Sequence, residues 1–319
     1  MSQILDDIRN VFRRKDDTLA QLLVVNMAVF VLINFVKVGL FLLGLDAVTK
    51  EAFASGMFRQ LAISAWLPQL LTHPWTLLTY FVSHENFFHL FFNLLFLYWF
   101  GQLIQEYLGS VRLLVLYVLG GLAGGAAYVL AYNTIPVFEA SVEGSQMIGA
   151  SGAVYGVVVG AATLLPNYTF NLLFIGTVRI VYIAAAYVLL SFFEISGGNP
   201  GGNIAHLGGA LMGYVYITQL RQGRDLGAPI AYVVNSLRNL RLRRQKRTIS
   251  PASRNRSYET VASAPANRTK ANQPAPAKTA AEVRQEEVDA ILDKMLVSGY
   301  NSLTIEEKRK LDAAGQSGN

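Results

Sequence analysis

Between residues 20 and 220 the chain carries six apolar stretches, each close to the roughly 20 residues an α-helix needs to cross the hydrocarbon core of a bilayer. They run from about Ala20 to Leu45, Asn86 to Ile104, Leu113 to Tyr132, Met147 to Leu165, Phe170 to Phe193 and Ile204 to Leu220, with Pro166 stopping the fourth. At 52% hydrophobic and only 15% charged residues, the 319-residue chain is too apolar for an ordinary soluble domain. The expected fold class is all-α, a polytopic membrane protein. Its expected parts are a basic N-terminus at 1–19, a six-helix membrane domain at 20–221, a basic and then disordered linker at 222–280, and a small helical hairpin at 281–319.

Charge orients the spans. Arg9, Arg13, Arg14 and Lys15 precede the first, and Arg221, Arg224 and the run from Arg238 to Arg247 follow the last. The loops at 133–146 and 194–203 contain no Lys or Arg. By the positive-inside bias both termini face the cytoplasm of a cell membrane, and the first span is an uncleaved signal-anchor. The net charge of +6 thus implies contact with the lipid bilayer and not with nucleic acid. Residues 46–83, with Trp66, Pro68, Pro74 and Trp75, are too interrupted for a span; they read either as a loop dipping into the interface or as an ordinary outer loop. Arg179, inside the expected fifth span, must snorkel or pair within the bundle.

Beyond Ser250 the composition turns to Pro, Ala, Ser, Asn and Thr, which cannot bury a core. Val283, Val288, Ile291, Leu292, Met295 and Leu296 then recur at helical spacing, and Thr304 with Glu307 forms a capping box for a second short helix carrying Leu311. This hairpin is either a module for a cytoplasmic partner or a tail without one.

Polar residues inside the spans are the functional candidates. The topology sets Ser151, His89 and His206 at similar depth below the outer surface, while His73 and His84 fall in or at the end of the first loop. With no cysteine, thiol chemistry and thiolate metal sites are excluded, and no cofactor is implied. A zinc site fails on spacing: His84 and His89 are five residues apart, and on one helix they diverge by about 140°. Serine hydrolysis fits better. Ser151 needs an imidazole to take its proton, which His206 can supply, and donors for an oxyanion, which His89 and Asn93 can supply from one helix face.

Gly152, Gly156 and Gly160 on the fourth span and Gly209 and Gly213 on the sixth make glycine faces that let the two helices touch, and Tyr155 can pack on the imidazole. Only Glu85 and Glu194 stand near the outer ends, so a Ser-His dyad is expected, not a triad. The contrasting readings are a channel or transporter, with Arg179 and Lys37 lining a pathway, and an inactive membrane-protein binder or chaperone that keeps the same packing.

Gly149-Ala150-Ser151-Gly152, Ala205-His206 followed by Gly209 and Gly213, and His84, His89 and Asn93 together resemble the rhomboid intramembrane serine proteases, over roughly Trp75 to Ile217. The resemblance implies Ser151 as nucleophile, His206 as base, and an oxyanion site from His89, Asn93 and the Ser151 N–H, with Tyr155 stacked on His206. It further implies transmembrane protein substrates with a small residue at the cut and an unstable helix. Where many members carry arginine after the first-loop tryptophan, Trp75 is followed by Thr76, which puts the anchoring of that loop in question. The region from Ala281 resembles a tail on some bacterial rhomboids.

Overall fold

The computed structural model describes residues 11–12, 17–44, 46–173, 175–236, 291, 304 and 306–307. The chain divides into one unit at 1–249 and a second at 250–319. In the second, the Thr304 N–H donates to Glu307 Oε2 at 2.7 Å and the Glu307 N–H donates to Thr304 Oγ1 at 3.3 Å, the two reciprocal bonds of a capping box. Apart from Ile291 and Glu306, the rest of the expected hairpin lies outside the described residues, as do most of the linker and residues 1–10.

The first unit is a helical bundle, and with its long apolar helices the protein is a polytopic all-α membrane protein. Six helices carry the architecture: α1 (Thr18–Leu42), α5 (Phe87–Leu108), α6 (Ser110–Thr134), α7 (Ser151–Leu164), α8 (Ile180–Phe193) and α9 (Pro200–Arg221). Between α1 and α5 lie α2 (Ala47–Leu61), α3 (Leu67–Thr72) and α4 (Thr76–Thr79). Among the described residues α1, α5 and α6 are long and apolar enough to cross a membrane by length and composition, and α7 and α8 are shorter apolar helices. α7 is the hub, packing against α5, α6, α8 and α9, and ten of its residues from Gly152 to Ala162 are buried. Its 14 residues span about 21 Å, less than the roughly 30 Å of a hydrocarbon core.

The helix ends follow local chemistry. Asp17, Asp46, Asn86 and Asn199 each accept a first-turn backbone N–H at the start of α1, α2, α5 and α9. Pro166 closes α7, because the residue before a proline is pushed out of the helical region and Leu165 accordingly sits at φ −129°.

The contact among α6, α7 and α9 is made by glycine. A Cβ on Gly209 would lie 1.9 Å from the Gly152 carbonyl oxygen, and one on Gly213 would lie 2.2 Å from that of Gly156. The two expected glycine faces therefore meet in register, 152 with 209 and 156 with 213. Gly160 instead faces Leu116 of α6. The sequence reading missed the third partner: Gly120 and Gly124 of α6 abut Ala153 and Ala205, so three backbones converge.

Two expectations are corrected. The expected fifth span does not start as a helix: β3 (Thr169–Leu172) pairs antiparallel with β4 (Gly176–Arg179), and α8 begins only at Ile180. Gly176, at φ +86°, takes the left-handed turn that apolarity alone does not reveal, and alternating Thr-Phe-Asn-Leu fits a strand. Arg179 consequently sits exposed at the N-cap of α8, not inside the bundle. In addition, residues 228–236, within the basic stretch after the sixth span, form a further helix, α10, with Ile230 and Ala231 packed against the core.

The first loop is tied into the bundle along its length. β1 (Ile63–Ser64) pairs antiparallel with β2 (Gln146–Met147), and Ile63 and Ala65 are fully buried. Tyr80 and Phe81 join the core; the Tyr80 hydroxyl donates to the Gly121 carbonyl, and the Tyr117 hydroxyl donates to the Phe81 carbonyl at 2.7 Å. Trp75 Nε1 donates to the Gln60 carbonyl at 3.0 Å, and Thr76, buried, donates to the His73 carbonyl at 2.7 Å. Threonine after the tryptophan therefore closes a local turn, and the loop is held by other bonds.

Overlap with a backbone carbonyl cannot be relieved by a rotamer change. Gly209→Ala and Gly213→Ala are each expected to destabilise the bundle by about 1–3 kcal/mol or more. Gly198→Ala, where a Cβ meets nothing within 4 Å, is expected to stay within about 0.5 kcal/mol. Thermal unfolding of the detergent-solubilised protein compares the three.

Candidate active site

Ser151 is the first residue of α7, where a backbone N–H has no intrahelical carbonyl to meet. The turn that delivers it is built by Gly149 at φ +142°, whose N–H donates to the Tyr80 carbonyl at 3.0 Å. A Cβ on Gly149 would lie 2.6 Å from His89 Cε1, so glycine is required both for the conformation and for the approach of that ring. The first loop, through Tyr80 and the β1–β2 pair, thus braces the turn before Ser151.

His206 projects from α9, and the glycine contact brings it to α7: its Nε2 lies 2.7 Å from Ser151 Oγ. The imidazole is clamped face to face by Tyr155, with ring centroids 4.3 Å apart and planes 6° apart. Behind Tyr155 lies Tyr187 of α8 at 3.8 Å and 15°, and Tyr187 in turn stacks on Phe96 of α5 at 4.6 Å. These rings leave the imidazole little freedom to leave the plane that faces Ser151.

On the far side of the ring, His206 Nδ1 lies 2.9 Å from Ser191 Oγ of α8. Ser191 Oγ is 2.6 Å from the Tyr155 hydroxyl, which donates to the Tyr187 carbonyl at 3.1 Å. The sequence reading found neither Ser191 nor Tyr187, having looked only for a carboxylate behind His206. The available signal was weak: one serine in an apolar span, four residues after a tyrosine and so on the same helix face. Of the two acids near the site, Glu85 is exposed, and the Glu194 carbonyl accepts from Asn203 at 2.7 Å.

His84, His89 and Asn93 form a second polar group, joined to the turn before Ser151 by the His89 ring beside Gly149. Asn93 Nδ2 donates to the His89 carbonyl at 2.9 Å and lies 3.3 Å from His84 Nε2, so both amide protons are engaged. Asn86 caps α5, so His84 precedes the helix and the 140° divergence expected of the histidine pair does not apply. The two rings instead meet edge to face, centroids 5.3 Å apart. His84 is fully buried with no protein partner at Nδ1. Among the described residues no three His, Cys, Asp or Glu side chains form a metal-binding group. His73 is held within the first loop, its Nδ1 2.9 Å from Thr72 Oγ1 and its ring against Trp75. Lys37 lies over the Phe58 ring at 5.5 Å and Arg179 caps α8, and neither is among the contacts of Ser151 or His206.

Chemically, a hydroxyl whose oxygen is 2.7 Å from an imidazole nitrogen, at a helix N-terminus, is placed to lose its proton while an anion forms beside the helix N–H groups. Comparison with known proteins agrees with this architecture. A model of the Rhomboid domain matches residues 71–223, and a model of a family of unknown function, DUF6576, matches 280–317. The chain is 31% identical over 152 residues to Rhomboid protease GlpG of Haemophilus influenzae, covering 44% of this chain and 67% of that protein. It is 29% identical over 158 residues to the mitochondrial RHOMBOID-like protein 12 of Arabidopsis thaliana, 47% of each chain, so it spans about half the length of that relative. It is also 30% identical over 109 residues to Inactive RHOMBOID-like protein 8 of the same plant, 34% of this chain and 29% of that one. The α6–α7–α9 glycine core and the Ser151–His206 contact stand within the matched region, and the chain belongs to the rhomboid family.

Proposed function

We propose that this protein is an intramembrane serine protease that hydrolyses peptide bonds in or near the transmembrane segments of membrane-anchored proteins through Ser151 and His206. The observation that carries the reading is the 2.7 Å contact between Ser151 Oγ and His206 Nε2 at the start of a buried helix. Charge placement sets both termini in the cytoplasm of a cell membrane and the Ser151 end of α7 toward the opposite side.

Ser151 Oγ attacks the scissile carbonyl as His206 Nε2 takes its proton. The Ser151 N–H and the His89 ring face the developing oxyanion. Asn93 joins them by releasing one amide proton from His84. The tetrahedral adduct collapses with proton donation from His206 to the leaving amine. Water, deprotonated by the same nitrogen, then hydrolyses the acyl-enzyme. Because α7 is about 9 Å shorter than the hydrocarbon core, it cannot reach both membrane surfaces, and the mechanism requires water to enter from the Ser151 end.

An inactive binder with the same packing is the competing reading, favoured by the likeness to a relative named inactive. Against it stands the retention here of nucleophile, base and stacked tyrosine in mutual contact. Ser151→Ala and His206→Ala are each expected to lower cleavage of a reconstituted transmembrane reporter by about 10⁴-fold or more. Wild-type protein, but not Ser151→Ala, is expected to be labelled by a fluorophosphonate. Folded wild-type protein that takes no label, or cleavage persisting in Ser151→Ala, overturns the reading.

His89→Ala removes a proposed oxyanion donor and is expected to lower kcat by about 10²–10³-fold with little change in KM. Steady-state cleavage kinetics separate the two parameters.

A further inference from the structure

We propose that Ser191 is a positioning residue that holds His206 in the one neutral tautomer able to accept a proton from Ser151. Neutral imidazole carries one N–H and one lone pair, so Nε2 can act as base only if the proton resides on Nδ1. In many serine hydrolases a carboxylate behind the ring enforces that choice, because it can only accept. Here the group behind the ring is the Ser191 hydroxyl, 2.9 Å from Nδ1, and a hydroxyl can donate or accept. Something must orient it.

The orienting element is a backbone carbonyl. Tyr155 has one hydroxyl proton and two neighbours, the Tyr187 carbonyl at 3.1 Å and Ser191 Oγ at 2.6 Å. The carbonyl has no proton to give, so the Tyr155 proton goes to it. The Tyr155 oxygen then accepts from Ser191, which uses the single Ser191 proton. Ser191 Oγ is left to face His206 Nδ1 as an acceptor only. Nδ1 carries hydrogen, and the bare Nε2 meets Ser151 Oγ at 2.7 Å.

The reverse polarity runs Tyr155 to Ser191 to Nδ1 and leaves Nε2–H pointing at Ser151, where it cannot take a proton. It also sets the Tyr155 oxygen against the Tyr187 carbonyl with no hydrogen between them, and Tyr155 and Ser191 are only 4% and 3% exposed. Stacking on Tyr187 and His206 holds the Tyr155 ring in place. When His206 becomes imidazolium, Nδ1 is still a donor to Ser191, so the relay keeps one direction through the whole cycle.

Only the kinetic consequence rests on the protease reading; the tautomer does not. The test uses the full chain in lipid nanodiscs with ¹⁵N-labelled histidine, the His206 ring signals being assigned by their loss in His206→Gln. In wild type the ring nitrogen shifts are expected to report Nδ1–H and a bare Nε2. Ser191→Ala is expected to give a mixture of tautomers and a roughly tenfold lower kcat at unchanged KM. Ser191→Thr, which keeps the hydroxyl, restores both. A wild-type spectrum with His206 protonated on Nε2 overturns the proposal, as does a Ser191→Ala variant whose tautomer is unchanged. If Ser191→Ala does not fold, the wild-type spectrum decides alone. Nδ1–H in a wild-type protein that cleaves nothing supports the relay and sinks the protease reading, whereas an active enzyme with Nε2–H does the opposite.

Discussion

The geometry of the site depends on how closely α7 and α9 approach. Gly209 and Gly213 bring the α9 backbone against the Gly152 and Gly156 carbonyls at distances no Cβ could tolerate. In a bilayer, apolar side chains gain little by leaving lipid for protein, so close backbone packing and hydrogen bonds must supply the association. One turn along α9 from Gly209 stands His206, and the first residue of α7 is Ser151. The 2.7 Å contact between them is therefore a by-product of helix packing, held by the same backbone overlap that holds the bundle.

Around that contact the fold supplies constraint from four directions. The first loop braces the turn before Ser151 through the Tyr80 carbonyl, and α5 sets the His89 ring against Gly149. α8 contributes Ser191 and Tyr187, and α6 fills the third side of the glycine core with Gly120 and Gly124. A buried polar cluster costs free energy unless its groups are paired, and most of these are. Their pairing also gives the network a direction, because it ends on a carbonyl.

Hydropathy read the bundle helices well because a span needs a long, continuous apolar run, and α1, α5, α6 and α9 have boundaries within a few residues of those expected. It failed at Phe170, where a two-stranded hairpin is as apolar as the start of a helix and differs only in a glycine turn and in alternation over four residues. It did place His84 in the loop before the second span, as the cap at Asn86 confirms, but nothing in hydropathy brings the His84 and His89 rings edge to face. The polar residues of the candidate site were legible because serine, histidine and asparagine are conspicuous within apolar runs. Ser191 was passed over because only a carboxylate was sought behind His206, and its spacing from Tyr187 does not by itself mark it as facing that ring.

By itself the sequence determined that this chain is a polytopic all-α membrane protein, which helices carry glycine faces, and which few polar residues share a depth. These properties are local or periodic, set by hydrocarbon thickness and by 3.6 residues per turn. Only the tertiary structure decided which carbonyl each glycine meets, that α6 enters the same seam, and that His206 is backed by a hydroxyl chain in place of a carboxylate. Those outcomes depend on the rotation and offset of one helix against another, and a shift of one residue along α8 would turn Ser191 about 100° away from His206.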